Sequence, residues 1–213
     1  MMRKLWVVLG LVVFLLVSAD VGLRLVAQYW VARAVQGSLG LDERPSVSLD
    51  GFPFLLRLAT GDIPSVSVEL DGSSTVEQLP IHDVSLSLRD VRFSPGDLVV
   101  GDRTTIRAEH GEGTMTMTEE DVNRALPATL PVTVRLEDGG VTVVAEGRTV
   151  RTRLLLSDGK LVLEPAQGSL PLSVSVRLPE LVPGISYTGV RVDGATAVLT
   201  FTLENATFRI ARA

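Results

Sequence analysis

Gly51-Phe52-Pro53-Phe54-Leu55-Leu56 is the stretch on which the reading of this chain turns. Two of the six phenylalanines flank a proline here, after the alternating segment Ser46-Val47-Ser48-Leu49-Asp50 and before the apolar Leu58. A strand enters the stretch and a short helix leaves it. Gly51 accepts the positive φ of a sharp turn, Pro53 presets φ near the helical value, and Phe52, preceding proline, is held extended. The two rings then have two readings: they plug one end of a core, or they guard the mouth of an apolar cavity.

Outward from this turn, toward the C-terminus, the dominant period is two. Val66, Val68 and Leu70 alternate with Ser65, Ser67 and Glu69, and Val84, Leu86 and Leu88 alternate with Ser85, Ser87 and Arg89. The same pattern runs through Val132 to Leu136, Val141 and Val143, Leu154 and Leu156, Leu161 and Leu163, and Leu172 to Leu178. It closes with Ala197, Leu199, Phe201, Leu203, Phe208 and Ile210. These are half-buried strands, and Glu137-Asp138-Gly139-Gly140, Ser157-Asp158-Gly159-Lys160 and Asp193-Gly194 mark hairpin turns between them. The expected fold class is α+β, mostly antiparallel β. One helix interrupts the meander: Thr118 caps a segment with Glu119, Glu120 and Asp121 in its first turn and Val122 and Leu126 on its apolar side, ended by Pro127. Leu178-Pro179-Glu180-Leu181-Val182-Pro183-Gly184-Ile185 is apolar yet proline-broken, a loop or one helical turn over a sheet end, and such a loop is expected to cover something.

Toward the N-terminus, Arg3 and Lys4 precede an uninterrupted apolar run of 13 residues, Leu5 to Val17. The run falls short of the roughly 20 residues that span a bilayer, and Asp20 and Arg24 then break its apolar character. It reads as a cleaved export signal or an uncleaved anchor, and both place the rest of the chain outside the cytoplasm. Residues 20–40 carry Leu25, Val26, Tyr29, Trp30, Ala34 and Leu39 among Arg24, Gln28, Arg33 and Gln36, the spacing of an amphipathic helix that Gly40 ends. That helix either packs on the domain or lies at a membrane interface with Tyr29 and Trp30 as anchors. The expected organisation is a signal or anchor over 1–19, a helix over 20–40 and a single β-rich domain over 41–213.

The composition excludes several function classes. Aromatics are 5% of the chain and the formal charge is −5, so stacking platforms and a basic footprint for nucleic acid are both missing. Loss of Arg3 and Lys4 with residues 1–19 would move the charge to −7. With no cysteine, neither disulfides nor a lipidated cysteine can hold or tether the domain. There is no Gly-x-Ser-x-Gly elbow, no HExxH and no Gly-rich phosphate cradle. His82 and His110 lie in strand-and-turn surroundings without an acid at a telling spacing, so neither enzyme, metal nor cofactor is expected. Asn205-Ala206-Thr207 matches a glycosylation sequon and reads as the turn side of a strand. Arg151 and Arg153 share one strand face, opposite Val150, Thr152 and Leu154: a solvated face, or a contact for an anionic headgroup.

The order of these features resembles the actinobacterial LmeA-like phospholipid-binding family. The likeness is carried by the block Val47-Ser-Leu-Asp-Gly51-Phe-Pro-Phe-Leu-Leu-Arg-Leu58 followed by Gly61, by the Val-Ser-Val strand after it, and by the late block Leu178 to Val192. The resemblance implies a cell-envelope protein that binds phospholipids, phosphoinositides among them, and that supports lipid-anchored glycan assembly alongside envelope glycosyltransferases. It also implies a long curved sheet wrapped around a helix, as in tubular lipid-binding proteins. On this reading acyl chains lie in an apolar groove lined by Val66, Val68, Leu86, Leu88, Val122 and Leu126, with Phe52, Pro53, Phe54, Leu55, Leu58, Leu181 and Ile185 at the mouth. Alternation identifies the buried face, not whether side chains or lipid fill it. A packed, membrane-anchored interaction domain that recruits envelope enzymes has the same pattern, and an enzyme with a concealed polar site is the remaining alternative.

Overall fold

The structure, a computed structural model, describes residues 2–76, 79–100, 103–126, 132–137, 140–145, 148–165, 174–178 and 184–211. The two N-terminal segments form one helix, α1 (Met2–Leu39). No proline lies between them, and the lone Gly22 costs only about 1 kcal/mol against alanine. Asp20 and Arg24, read from sequence as the end of apolar character, turn toward the domain instead. The Asp20 carboxylate accepts the Leu55 N–H at 2.7 Å, and Arg24 pairs with Asp50 at 3.2 Å. The outward side therefore stays apolar through Val21, Leu25, Val26, Tyr29 and Trp30, and the helix is long and apolar enough to cross a membrane over Trp6–Gly37. Gly40 ends it at φ 64, with the Leu41 N–H returning to the Gln36 carbonyl at 3.0 Å, a Schellman closure.

The strands divide into two antiparallel sheets. β1 (Ser46–Leu49), β2 (Asp62–Val76), β3 (Leu79–Phe93), β4 (Arg103–Thr118), β10 (Ile185–Asp193) and β11 (Thr196–Ala211) form the first, in the order β1-β2-β3-β4-β11-β10. β5 (Val132–Glu137), β6 (Gly140–Ala145), β7 (Arg148–Ser157), β8 (Lys160–Pro165) and β9 (Val174–Arg177) form the second in chain order. The fold is α+β and mostly antiparallel, as the period-two pattern implies. The second sheet meets the first through β10, which contacts β5 and β7, and the buried side chains of both belong to one core. The hairpin expected at Asp158-Gly159 forms with both residues at positive φ. Asp138 and Gly139 of the β5–β6 hairpin, Pro127 and Leu172 lie outside the described residues.

A crease crosses the first sheet. In four of its strands, β2, β3, β4 and β11, buried positions two apart become three apart at one level: Ile63 and Val66, Leu88 and Val91, Ala108 and Gly111, Leu203 and Ala206. The register aligns these breaks, with Ser65 opposite Arg89, Arg89 opposite His110, and His110 opposite Glu204. Pro64 has no N–H for the ladder, and Asp90 and Asn205 adopt φ 53 and 51. The pairing stays one to one through this level, so the inward-facing parity shifts by one residue in all four strands together. Asn205 of the sequon is thus a strand residue at the crease.

Three short helices complete the chain. α2 (Phe54–Thr60) and α3 (Pro95–Val100) sit at the end of the sheet where Asp62 faces Arg92. α4 (Glu119–Ala125) sits at the other end, against β3, β4 and β5, and so links the two sheets. Its first-turn carboxylates are all used. Asp121 and Thr118 form a reciprocal capping box, Glu119 accepts the Leu136 N–H at 2.9 Å, and Glu120 pairs with Arg124. Asn123 donates to the Val134 carbonyl and accepts from the Val134 N–H, both at 2.7 Å, standing in for a strand beside the edge strand β5. Asn123→Ala removes both bonds and leaves two backbone groups short of partners. We expect a loss of about 1–3 kcal/mol in urea unfolding and faster exchange of the Val134 amide proton.

Candidate functional site

The inner face of the first sheet carries an apolar strip with uneven cover. On β2 and β3, Val66 faces Leu88, Val68 faces Leu86, and Leu70 faces Val84. Val66, Leu70 and Leu88 are buried, whereas Val68, Leu86 and Val84 are only half-buried. The strip continues on β4 and β11, where the interior is filled. Gly113 has no side chain because the Phe201 ring occupies its place: a Cβ there would lie 2.5 Å from Phe201 Cζ. Tyr187 of β10 packs edge-on against that ring, with centroids 6.1 Å apart. Met115, Met117, Leu199 and Leu203 fill the remainder. The β2–β3 side, by contrast, keeps Val68, Leu86 and Val84 half-exposed at this level.

The two ends of this strip are closed differently. At one end α2 inserts Phe54, which is fully buried. At the other, Val122 and Leu126 are buried beneath α4, and His82 of β3 binds the α4 cap through Nε2 to Asp121 Oδ2 at 2.9 Å. From Val91 to His82 along β3 is roughly 30 Å at ~3.3 Å per residue. His110 pairs with Glu204 at 2.9 Å on the outer face, beside the Arg89–Glu112 and Arg92–Glu109 ion pairs. The sequence reading gave neither histidine an acid partner. Both have one, supplied by residues distant in sequence.

The residues expected at the mouth do not form a single ring. Phe52 is 69% exposed while Phe54, two residues later, is buried, so the turn sends one ring out and one in. Pro53 and Leu55 are exposed with Phe52, and Leu58 is half-buried. Ile185 is half-buried at the start of β10, opposite Leu203. Leu181 and its neighbours 179–183 lie outside the described residues. Arg151 and Arg153 are exposed on the outer side of the second sheet, opposite the buried Thr152, whose hydroxyl donates to the Val141 carbonyl at 3.1 Å. The fold does not bring these arginines to the strip. The half-buried Val84 and the capping partner His82 belong beside it, and sequence reasoning passed over both: Val84 was read only as one strand residue among many, and His82 as part of a turn.

An apolar strip of this length, closed by helices at its ends, suits a chain-like apolar ligand better than a compact polar one. The family model described as LmeA-like phospholipid-binding matches residues 18–212. The chain belongs to that family. The match begins within α1, so the LmeA-like unit includes Asp20 and the half of the helix that packs on the domain. No curated protein and no solved structure matches the chain. Membership in the LmeA-like phospholipid-binding family supports a lipid-binding role. The long apolar helix is compatible with an export signal or a membrane anchor.

Proposed function

We propose that the chain is a non-catalytic phospholipid-binding protein of the extracytoplasmic face of the plasma membrane, and that it holds acyl chains along the β2–β3 side of the first sheet. The half-buried row Val68, Val84 and Leu86 supports this reading, because it stays partly open between the buried Val66, Leu70 and Leu88. Each methylene laid there is worth about 0.8 kcal/mol, so several suffice for a stable complex without any polar contact to the headgroup. α2 and α4 bound the strip at its two ends. The phosphoinositide preference and the support of lipid-anchored glycan assembly by envelope glycosyltransferases belong to this proposal on family grounds.

Val68→Asp and Leu86→Asp place a carboxylate on the strip, while Ser67→Asp places one on the opposite face of β2. Uptake of a phospholipid with a fluorescent acyl chain is expected to fall at least tenfold for the first two, about 1.4 kcal/mol in binding free energy, and to stay at the wild-type value for the third. Equal uptake by all three proteins, with unfolding midpoints preserved, refutes the strip as the lipid site. The interaction-domain alternative asks for an exposed apolar patch, and α2 provides one.

A further inference from the structure

We propose that α1 crosses a phospholipid bilayer as an anchor and that the turn into α2 is its membrane foot: Phe52, Leu55 and Leu56 enter the headgroup–acyl boundary of that bilayer. These three side chains are 69%, 41% and 58% exposed, Phe52 in the turn before α2 and the two leucines in its first turn. The Leu55 N–H bond to Asp20, whose side chain is buried, fixes the start of α2 at the level of residue 20 of α1. On the N-terminal side of that level, every described side chain back to Arg3 is exposed, and none from Trp6 to Ala19 is charged.

Arg3 to Asp20 spans about 26 Å at 1.5 Å rise per residue, close to the ~30 Å hydrocarbon thickness of a bilayer. Arg3 and Lys4 then reach one interface, and Asp20 marks the other, where the α2 patch lies. Depth is limited from the domain side. Further immersion would carry the Arg24–Asp50 and Arg57–Asp62 ion pairs into hydrocarbon, which is strongly unfavourable. α2 packs on α1 at Asp20, and Val17 and Val21, within one turn of Asp20, are exposed as well, so an occupant that covers this stretch of α1 is at hand for the patch. This docking goes beyond lipid binding on the strip and does not depend on it.

The absence of cysteine makes the test direct. Phe52→Cys, Leu56→Cys and, at the α4 end, Glu120→Cys each give a single labelling site in the full chain. With an environment-sensitive fluorophore at each site and the protein reconstituted in phosphatidylcholine–phosphatidylglycerol vesicles, positions 52 and 56 are expected to emit to the blue of position 120. They are also expected to resist iodide quenching several-fold more. Substitution at these exposed positions leaves the core intact, and circular dichroism of each sample checks folding. Quenching at 52 and 56 as complete as at 120 overturns the proposal. So does protection that disappears when protein is diluted in the vesicles, which would assign the patch to a second copy of the chain. Failure here leaves lipid uptake by the strip standing, because uptake is measured separately.

Discussion

Phe54→Ala is expected to destabilise the domain by about 3–5 kcal/mol, the range for deletion of a buried ring with its cavity left behind, while Phe52→Ala shifts the unfolding free energy by no more than about 0.5 kcal/mol. The two residues lie on either side of one proline, and sequence alone treats them as a pair. Pro53, the extended N-cap of α2 at φ −70 and ψ 132, stands between them. Phe54 turns into the core at the end of the strip, and Phe52 turns out to solvent. Chemical unfolding of the two single variants measures the split. Equal losses would mean that both rings act as a core plug; no loss from either would mean that Phe54 is not the closure of this end.

Gly61→Ala is expected to cost about 2–4 kcal/mol. Gly61 closes α2 in the left-handed region at φ 73, with its N–H bonded to the Arg57 carbonyl at 2.9 Å. A side chain in that conformation costs roughly 1–2 kcal/mol by itself. A Cβ would also overlap the Phe93 carbonyl oxygen and lie 2.9 Å from Pro95 Cδ, and such overpacking typically adds about 1–3 kcal/mol. The reduced freedom of the unfolded chain returns up to about 1 kcal/mol. Displacing Phe93 also weakens the bond its N–H donates to the Gly61 carbonyl at 2.9 Å. Thermal unfolding of Gly61→Ala beside Gly140→Ala, where a Cβ meets nothing within 4 Å, isolates the effect. A loss no greater for Gly61→Ala than for Gly140→Ala would contradict this account of the α2 closure.

The strand faces were legible because period two depends only on neighbours in sequence. Val66 with Leu88 and Val68 with Leu86 could be assigned to one inner face before any pairing was known. The crease left a trace as well: apolar positions in the last strand are odd from Ala197 to Leu203 and even at Phe208 and Ile210. That shift falls at Asn205, which takes φ 51 while the pairing with β4 keeps its register. Division into two sheets left no such trace, since alternation records which way a side chain points and not which strand lies beside it. Long-range polar contacts were equally silent. Asp20 looks like an interruption of an apolar helix until α2 places the Leu55 N–H on it, and His82 looks like a surface turn until β3 meets the α4 cap. The Gly51 to Leu56 block was read as one feature and serves two: closure of the core by Phe54 and an exposed apolar surface beside α1. The capping box at Thr118, by contrast, was readable residue by residue, because all its partners lie within one turn.

These elements place an apolar strip between two helical closures in a chain of the LmeA-like phospholipid-binding family. The most direct measurement uses a phospholipid carrying a photoreactive group midway along one acyl chain, bound to the full chain, irradiated, and located by peptide mass spectrometry. Adducts are predicted on β2 and β3 at Val68, Val84 and Leu86. Adducts confined to α1 and α2, or to the outer faces of the sheets, would contradict the account.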